Sequence, residues 1–264
     1  MEKKVFFRDQ PLYYRDLGQG DLVVLLHGFG ESGSLWNGQL DWMQQACRVL
    51  VPDLPGSGAS GLHANLTIES VAGAVATMIA AEAGGKLVTV IGHSMGGYVA
   101  LALAEQNPDQ LSKLGLFHST AYADTPARVE VRKKAIDFIR NHGAHAFLES
   151  FVPNLFSAAT KQRNPGLVAS FFEEVKGCDA ATLIASHQAM MQRPDRAAVL
   201  SAFEGPVLFM IGKNDALIPY TDVLKQTYLP CISHIHLLQE CGHMAMLEDP
   251  GQTRRALEDF LSAK

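Results

Sequence analysis

Cysteine is scarce. The 264 residues hold four, and Cys47, Cys178, Cys231 and Cys241 include no CxxC pair. That excludes a disulfide scaffold and removes the zinc-ribbon and thioredoxin-like readings. Basic charge is short as well: Lys plus Arg number 22 against 27 Asp plus Glu, a net charge of −5. Nothing in that balance neutralises a phosphate backbone, so nucleic acid is not an expected partner. No stretch reaches the roughly 18 uncharged apolar residues of a membrane helix. Met1–Arg8 carries two lysines but no apolar run of signal length. The expectation is a soluble, cytoplasmic protein with no membrane partner. Ten histidines invite a metal, yet His234 with His236 and His142 with His145 each lack a third ligand nearby in sequence, so no metal is expected. What remains is globular: 47% hydrophobic and 19% charged residues exclude disorder.

Short apolar runs recur along the chain: Leu22–Leu26, Val49–Val51, Leu87–Ile91, Leu114–Phe117 and Val207–Ile211. Each suits a strand buried on both faces of a parallel sheet. Lys4–Arg8 and Leu12–Leu17 read as two further strands, and Ile232–Leu238, which alternates, as an edge strand. Helical segments lie between them at Ser34–Ala46, Thr67–Ala83 (with Thr67 as N-cap), Met95–Gln106, Tyr220–Tyr228 and Gly251–Ala263. Strands alternating with helices predict an α/β fold, a doubly wound, mostly parallel sheet. From Ser119 to Phe203 the pattern is helical only, at Ala127–Asn141, Ala144–Phe156, Leu167–Lys176 and Ala180–Gln192. Seven of the 13 phenylalanines fall there: Phe138, Phe147, Phe151, Phe156, Phe171, Phe172 and Phe203. An all-helical cap, residues 119–203, is expected within a core of residues 1–118 and 204–264.

The chemistry centres on Gly92-His93-Ser94-Met95-Gly96, a G-x-S-x-G sequence between a strand run and a helix. A serine on that sharp turn exposes its hydroxyl beside a helix N-terminus, and glycines two residues either side avoid collision. A neutral alcohol is a poor nucleophile and needs a base with a group to orient it. Asp215 follows the Val207–Ile211 run and His243 follows the last strand run, so all three candidates sit past the C-terminal ends of strands. Met95 N–H is one expected oxyanion donor. Phe29, in the loop His27-Gly28-Phe29-Gly30, is the second, and its side chain is expected to face the acyl pocket. His118, Phe147, Phe151, Met190, Leu217 and Met244 are the further pocket candidates. His27 and His93 are read as holding loop backbone, and Cys241 as packing.

With His27-Gly28-Phe29-Gly30, Asp53–Ser60, Gly92–Gly97, Asp215 and Gly242-His243 in place, the chain resembles the α/β-hydrolase superfamily from about residue 10 to 262. The order Ser, Asp, His is that of the fold's triad. The resemblance implies a serine hydrolase acting on small to medium carboxylic esters, lactones included, through an acyl-enzyme on Ser94 with no cofactor. It also implies that Asp53 shapes a turn. Relatives with an Asp nucleophile are set aside by Ser94. Carbon–carbon bond hydrolases share Ser-Met-Gly-Gly but commonly carry Asn before the nucleophile and Trp soon after the histidine, where this chain has His93 and Met244-Ala245-Met246. The same triad also serves cofactor-free perhydrolases and haloperoxidases, and receptors that keep it to sense a small ligand.

Overall fold

The computed structural model describes residues 1–263. Eight strands form one sheet: β1 (Glu2–Phe7), β2 (Gln10–Leu17), β3 (Leu22–Leu26), β4 (Arg48–Pro52), β5 (Val88–His93), β6 (Leu111–Phe117), β7 (Val207–Gly212) and β8 (Ser233–Leu238). Their spatial order is β1-β2-β4-β3-β5-β6-β7-β8. β1 and β2 join antiparallel, and every pairing from β4–β3 to β7–β8 is parallel. Burial follows this order. Every residue of β3, β5 and β7 is buried, because helices cover both faces of a parallel sheet. β1 alternates exposed with half-buried residues, and β8 occupies the far edge with only Leu238 buried.

The core helices are α1 (Asn37–Ala46), α2 (Ile68–Glu82), α3 (Met95–Gln106), α9 (Tyr220–Leu224), α10 (Ala245–Glu248) and α11 (Pro250–Ser262). α2 starts where an N-cap threonine puts it: Thr67 accepts from Ser70 N–H while the Ser70 hydroxyl receives Thr67 N–H. Trp36, Phe117, Phe209 and Phe260 are among the largest fully buried side chains, and Trp36 packs edge-on to Phe117 at 5.5 Å.

Between β6 and β7 the chain is helical: α4 (Pro126–Phe151), α5 (Ala158–Arg163), α6 (Pro165–Val175), α7 (Ala180–Gln192) and α8 (Ala197–Ala202). α4 is two helices joined at Gly143, whose φ of 85° and ψ of 166° require a residue without a Cβ. Among the described residues no helix is long and apolar enough to cross a membrane.

Candidate active site

β5 ends at His93 and α3 begins at Met95, so Ser94 turns the chain by itself. It does so at φ 50° and ψ −115°, a conformation rarely adopted by a residue with a side chain. The turn demands glycine around it. A Cβ on Gly92 would meet the Gly96 carbonyl and Gly97 nitrogen, and one on Gly96 would lie 2.6 Å from the carbonyl oxygens of Leu26 and His27. Met95 N–H thereby heads α3. Among the described residues neither it nor Phe29 N–H donates a hydrogen bond.

Asp215 lies in the turn after β7. Its Oδ1 accepts the N–H groups of Leu217 at 2.8 Å and Ile218 at 2.9 Å, and its Oδ2 receives His243 Nδ1–H at 2.7 Å. Burial works to raise the Asp215 pKa, but attraction to His243 and hydrogen bonding outweigh it and hold the carboxyl well below the usual range. Asp215 is therefore a carboxylate, and its bond to Nδ1 leaves Nε2 of a neutral His243 as the free acceptor. Ser94 and His243 line the same cavity, although the Ser94 hydroxyl has no hydrogen bond among the described residues.

His118 is not in that cavity, contrary to the expectation from sequence. β6 ends at Phe117, and His118 at φ 48° turns inward, 1% exposed. Its Nδ1 accepts Gly212 N–H at 3.1 Å and stands 3.5 Å from Asp215 Oδ2. Burial pushes its pKa down to about 4, so the ring is neutral. His118, Asp215 and His243 each bring a possible metal-ligating atom within 4.8 Å of the others. In this set His118 Nδ1 accepts a backbone N–H and His243 Nδ1–H donates to Asp215. Met244 is a second correction. It leads into α10, is fully buried in the core and does not line the cavity.

His27 and His93 hold backbone. His27 Nε2 accepts Leu54 N–H at 2.9 Å, so its Nδ1–H donates to Gly28 O. His93 makes two contacts, both to oxygen: Nδ1 with Glu31 Oε2 at 3.0 Å and Nε2 with His243 O at 3.0 Å. Serving both as donor requires an imidazolium. Burial opposes that charge, but Glu31 overcomes it and the His93 pKa is raised. Burial likewise works to raise Glu31, and His93 opposite holds its carboxyl below the usual value. Glu31 also accepts Gly28 N–H at 2.5 Å, which fixes the loop carrying Phe29. Asp53 shapes a turn, accepting Gly33 and Ala59 N–H groups at 2.9 Å each.

The loop bearing His243 is sewn to the helical insertion. His243 N–H donates to Leu155 O at 2.7 Å. Glu248 accepts Gly242 N–H at 2.8 Å on one oxygen, and Ser157 N–H at 2.9 Å and the Thr160 hydroxyl at 2.7 Å on the other.

The cavity measures about 180 Å³. Of the pocket candidates, Phe29, Phe147, Phe151, Met190 and Leu217 line this cavity. Phe147 and Phe151 meet the Phe29 ring edge-on at 6.2 and 5.6 Å. Glu31, Tyr98, Arg128, Arg132 and His187 also line it, and none of them is marked by the motifs. The spacing of Tyr98 four residues after Ser94, one helical turn on, is the only signal that points to any of them.

A model of the alpha/beta hydrolase family matches residues 23–256. The chain is similar to a pimeloyl-[acyl-carrier protein] methyl ester esterase from Methylococcus capsulatus, 27% identical over 96% of this chain and 99% of the relative. It is also similar to a 2-hydroxy-6-oxononadienedioate/2-hydroxy-6-oxononatrienedioate hydrolase from Pseudomonas putida, 27% identical over 96% of this chain and 92% of the relative. Among solved structures it resembles a thermophilic esterase from Thermogutta terrifontis, with a TM-score of 0.92 and 26% identity over 99% of this chain and 98% of the other.

Proposed function

Because the chain belongs to the alpha/beta hydrolase family, we propose that it hydrolyses small carboxylic esters, lactones included, through an acyl-enzyme on Ser94. The observation that carries this reading is the strained Ser94 turn opening into one cavity with a His243 whose Nδ1 is tied to Asp215 at 2.7 Å. As Ser94 Oγ attacks the carbonyl carbon, His243 Nε2 takes the hydroxyl proton, and Asp215 holds the tautomer and stabilises the imidazolium. The oxyanion settles on the unengaged N–H groups of Phe29 and Met95. His243 returns its proton to the leaving alcohol, then draws one from the water that releases the acid. Residues 119–203 act as a cap over a core of residues 1–118 and 204–264, and the cap sets substrate choice.

A second reading has the same residues cleaving a carbon–carbon bond beside a ketone. It draws on the Pseudomonas putida relative, whose named substrate carries a ketone and two carboxylates but no ester. A panel of p-nitrophenyl esters, lactones and vinylogous diketones ranks the two by kcat/KM.

A fluorophosphonate should add a single label, at Ser94. Cys241 is no competitor: burial pushes its thiol up to about 12, which removes the thiolate at neutral pH. Mass spectrometry locating the adduct on Cys241 would overturn the nucleophile assignment.

Phe151→Leu and Met190→Ala should shift the kcat/KM ratio between butyrate and hexanoate esters about tenfold, the scale of one methylene in an apolar pocket. Unchanged ratios with a lowered melting temperature in both variants would mean these side chains only pack the cap.

A further inference from the structure

The helical insertion brings three arginines around one carboxylate. Asp124 receives Arg132 Nε–H at 2.5 Å and Arg193 Nη1–H at 2.9 Å. Arg193 is further held by Met190 O at 2.6 Å and Tyr122 O at 3.0 Å, with its guanidinium 3.8 Å over the Tyr98 ring. Both cations are thus occupied. Arg128, one turn before Arg132 on α4, lines the cavity, and its guanidinium has no ion pair or hydrogen bond among the described residues. Burial and then the neighbouring Arg132 disfavour its charge and lower its pKa, yet a guanidinium keeps its proton. Its guanidinium, on a half-buried side chain, has no carboxylate bonded to it among the described residues.

His187, on α7, is the second orphan. It is 5% exposed and lines the same cavity, and neither ring nitrogen has a partner among the described residues. Its ring lies 4.4 Å from the Phe29 ring, beside the proposed oxyanion donor. Burial, then the field of Arg132, push its pKa down to about 3, so at neutral pH it offers one N–H and one lone pair. Glu31, the cavity's own carboxylate, is matched by His93 and leaves the arginine field standing. A guanidinium with no bonded partner among the described residues and an unused imidazole N–H therefore belong to residues lining one chamber with Ser94 and His243.

Resting on the ester-hydrolase reading, we propose that Arg128 and His187 form a subsite for a carboxylate, so that the preferred substrate is an ester bearing a free carboxylate away from its reacting carbonyl. The guanidinium edge matches a planar carboxylate with two parallel hydrogen bonds, and His187 N–H adds a third donor. The contact supplies orientation, since an ester anchored at its far end presents its carbonyl to Ser94 in one register.

Two substrate series locate the anion. Monomethyl esters of four- to eight-carbon dicarboxylic acids, compared with their dimethyl esters, place it on the acyl side. O-acetyl hydroxyalkanoic acids, compared with their methyl esters, place it on the alcohol side. The wild type should favour the free acid in one series. Arg128→Met should cut that preference, as a ratio of kcat/KM values, at least tenfold. Arg128→Lys should restore part of it, and His187→Phe should lower it less than Arg128→Met does. Circular dichroism and melting temperature check that the variants fold. Independently of turnover, glutarate should bind the wild type in titration calorimetry and at least tenfold more weakly to Arg128→Met. No preference for the free acid in either series, or a ratio and a glutarate affinity unmoved in Arg128→Met, overturns the subsite. Loss of every ester activity together with an unlabelled Ser94 overturns the ester reading instead, and the glutarate titration still decides the subsite.

Discussion

Ser94→Ala should lower kcat on p-nitrophenyl butyrate about a million-fold if Ser94, His243 and Asp215 act as one unit, since removing the nucleophile leaves only binding and oxyanion stabilisation. His243→Ala should fall nearly as far. Asp215→Asn is the more discriminating variant, with an expected loss of about ten-thousand-fold. The carboxylate oxygen that receives His243 Nδ1–H at 2.7 Å becomes one end of an amide that can donate instead, and the imidazole then carries its proton on the wrong nitrogen. KM should move little in any of the three, because the cavity wall is otherwise intact. Single-turnover kinetics with active-site titration guard against traces of wild type. Near-wild-type turnover by Ser94→Ala would end the mechanism.

Glu31→Ala should destabilise the fold by about 3 kcal/mol, the lower end of the cost of breaking a buried ion pair by removing one partner. The lower end applies because His93 can shed its proton once Glu31 is gone. The variant strands His93 Nδ1 and Gly28 N–H, both buried. The pH dependence has a defined sign. The raised His93 contributes stability fully below the unfolded histidine value of about 6.5, and loses it as pH rises through the folded value. The lowered Glu31 contributes above the unfolded glutamate value of about 4.3, and loses it as pH falls through the folded value. The gap in urea-unfolding free energy between wild type and Glu31→Ala should therefore be widest between about pH 4.3 and 6.5. A gap below about 0.5 kcal/mol throughout that window, the size of an ordinary surface change, would show the pair to be energetically idle.

Much of the sheet is legible in the sequence because a strand buried on both faces leaves a continuous apolar run. Leu22–Leu26 matches β3 residue for residue, and Thr67 caps α2 as its side chain allows. Met95–Gln106 and Ala180–Gln192 are α3 and α7 as expected. Helix ends in the insertion are less so. The segment expected at Ala144–Phe156 stops being α-helical at Phe151 and tightens into the turn Val152–Leu155, where Pro153 lacks a donor. α5 and α8 leave no trace in the pattern because six residues are too few to display a period. The site divides the same way. Ser94, Asp215 and His243 stand at strand ends, positions a motif and a topology can mark. Glu31, Arg128 and His187 depend on partners far off in the chain, as Glu31 on His93, or on having none, as Arg128 with no acceptor among the described residues. Local pattern carries no record of such encounters. His118 and Met244 mislead for the converse reason: adjacency to a strand end or to His243 does not say which way a side chain leaves the backbone.

The Glu248 seam makes the seat of the base depend on the insertion. A swing about the Val152–Ser157 segment would strip His243 N–H of its acceptor at Leu155 and pull Ser157 and Thr160 from Glu248, unseating the base as it opened. The kink at Gly143 lies outside that seam, with open space where its Cβ would be. The seam is therefore a jamb for the base: His243 keeps its post only while Leu155, Ser157 and Thr160 keep theirs.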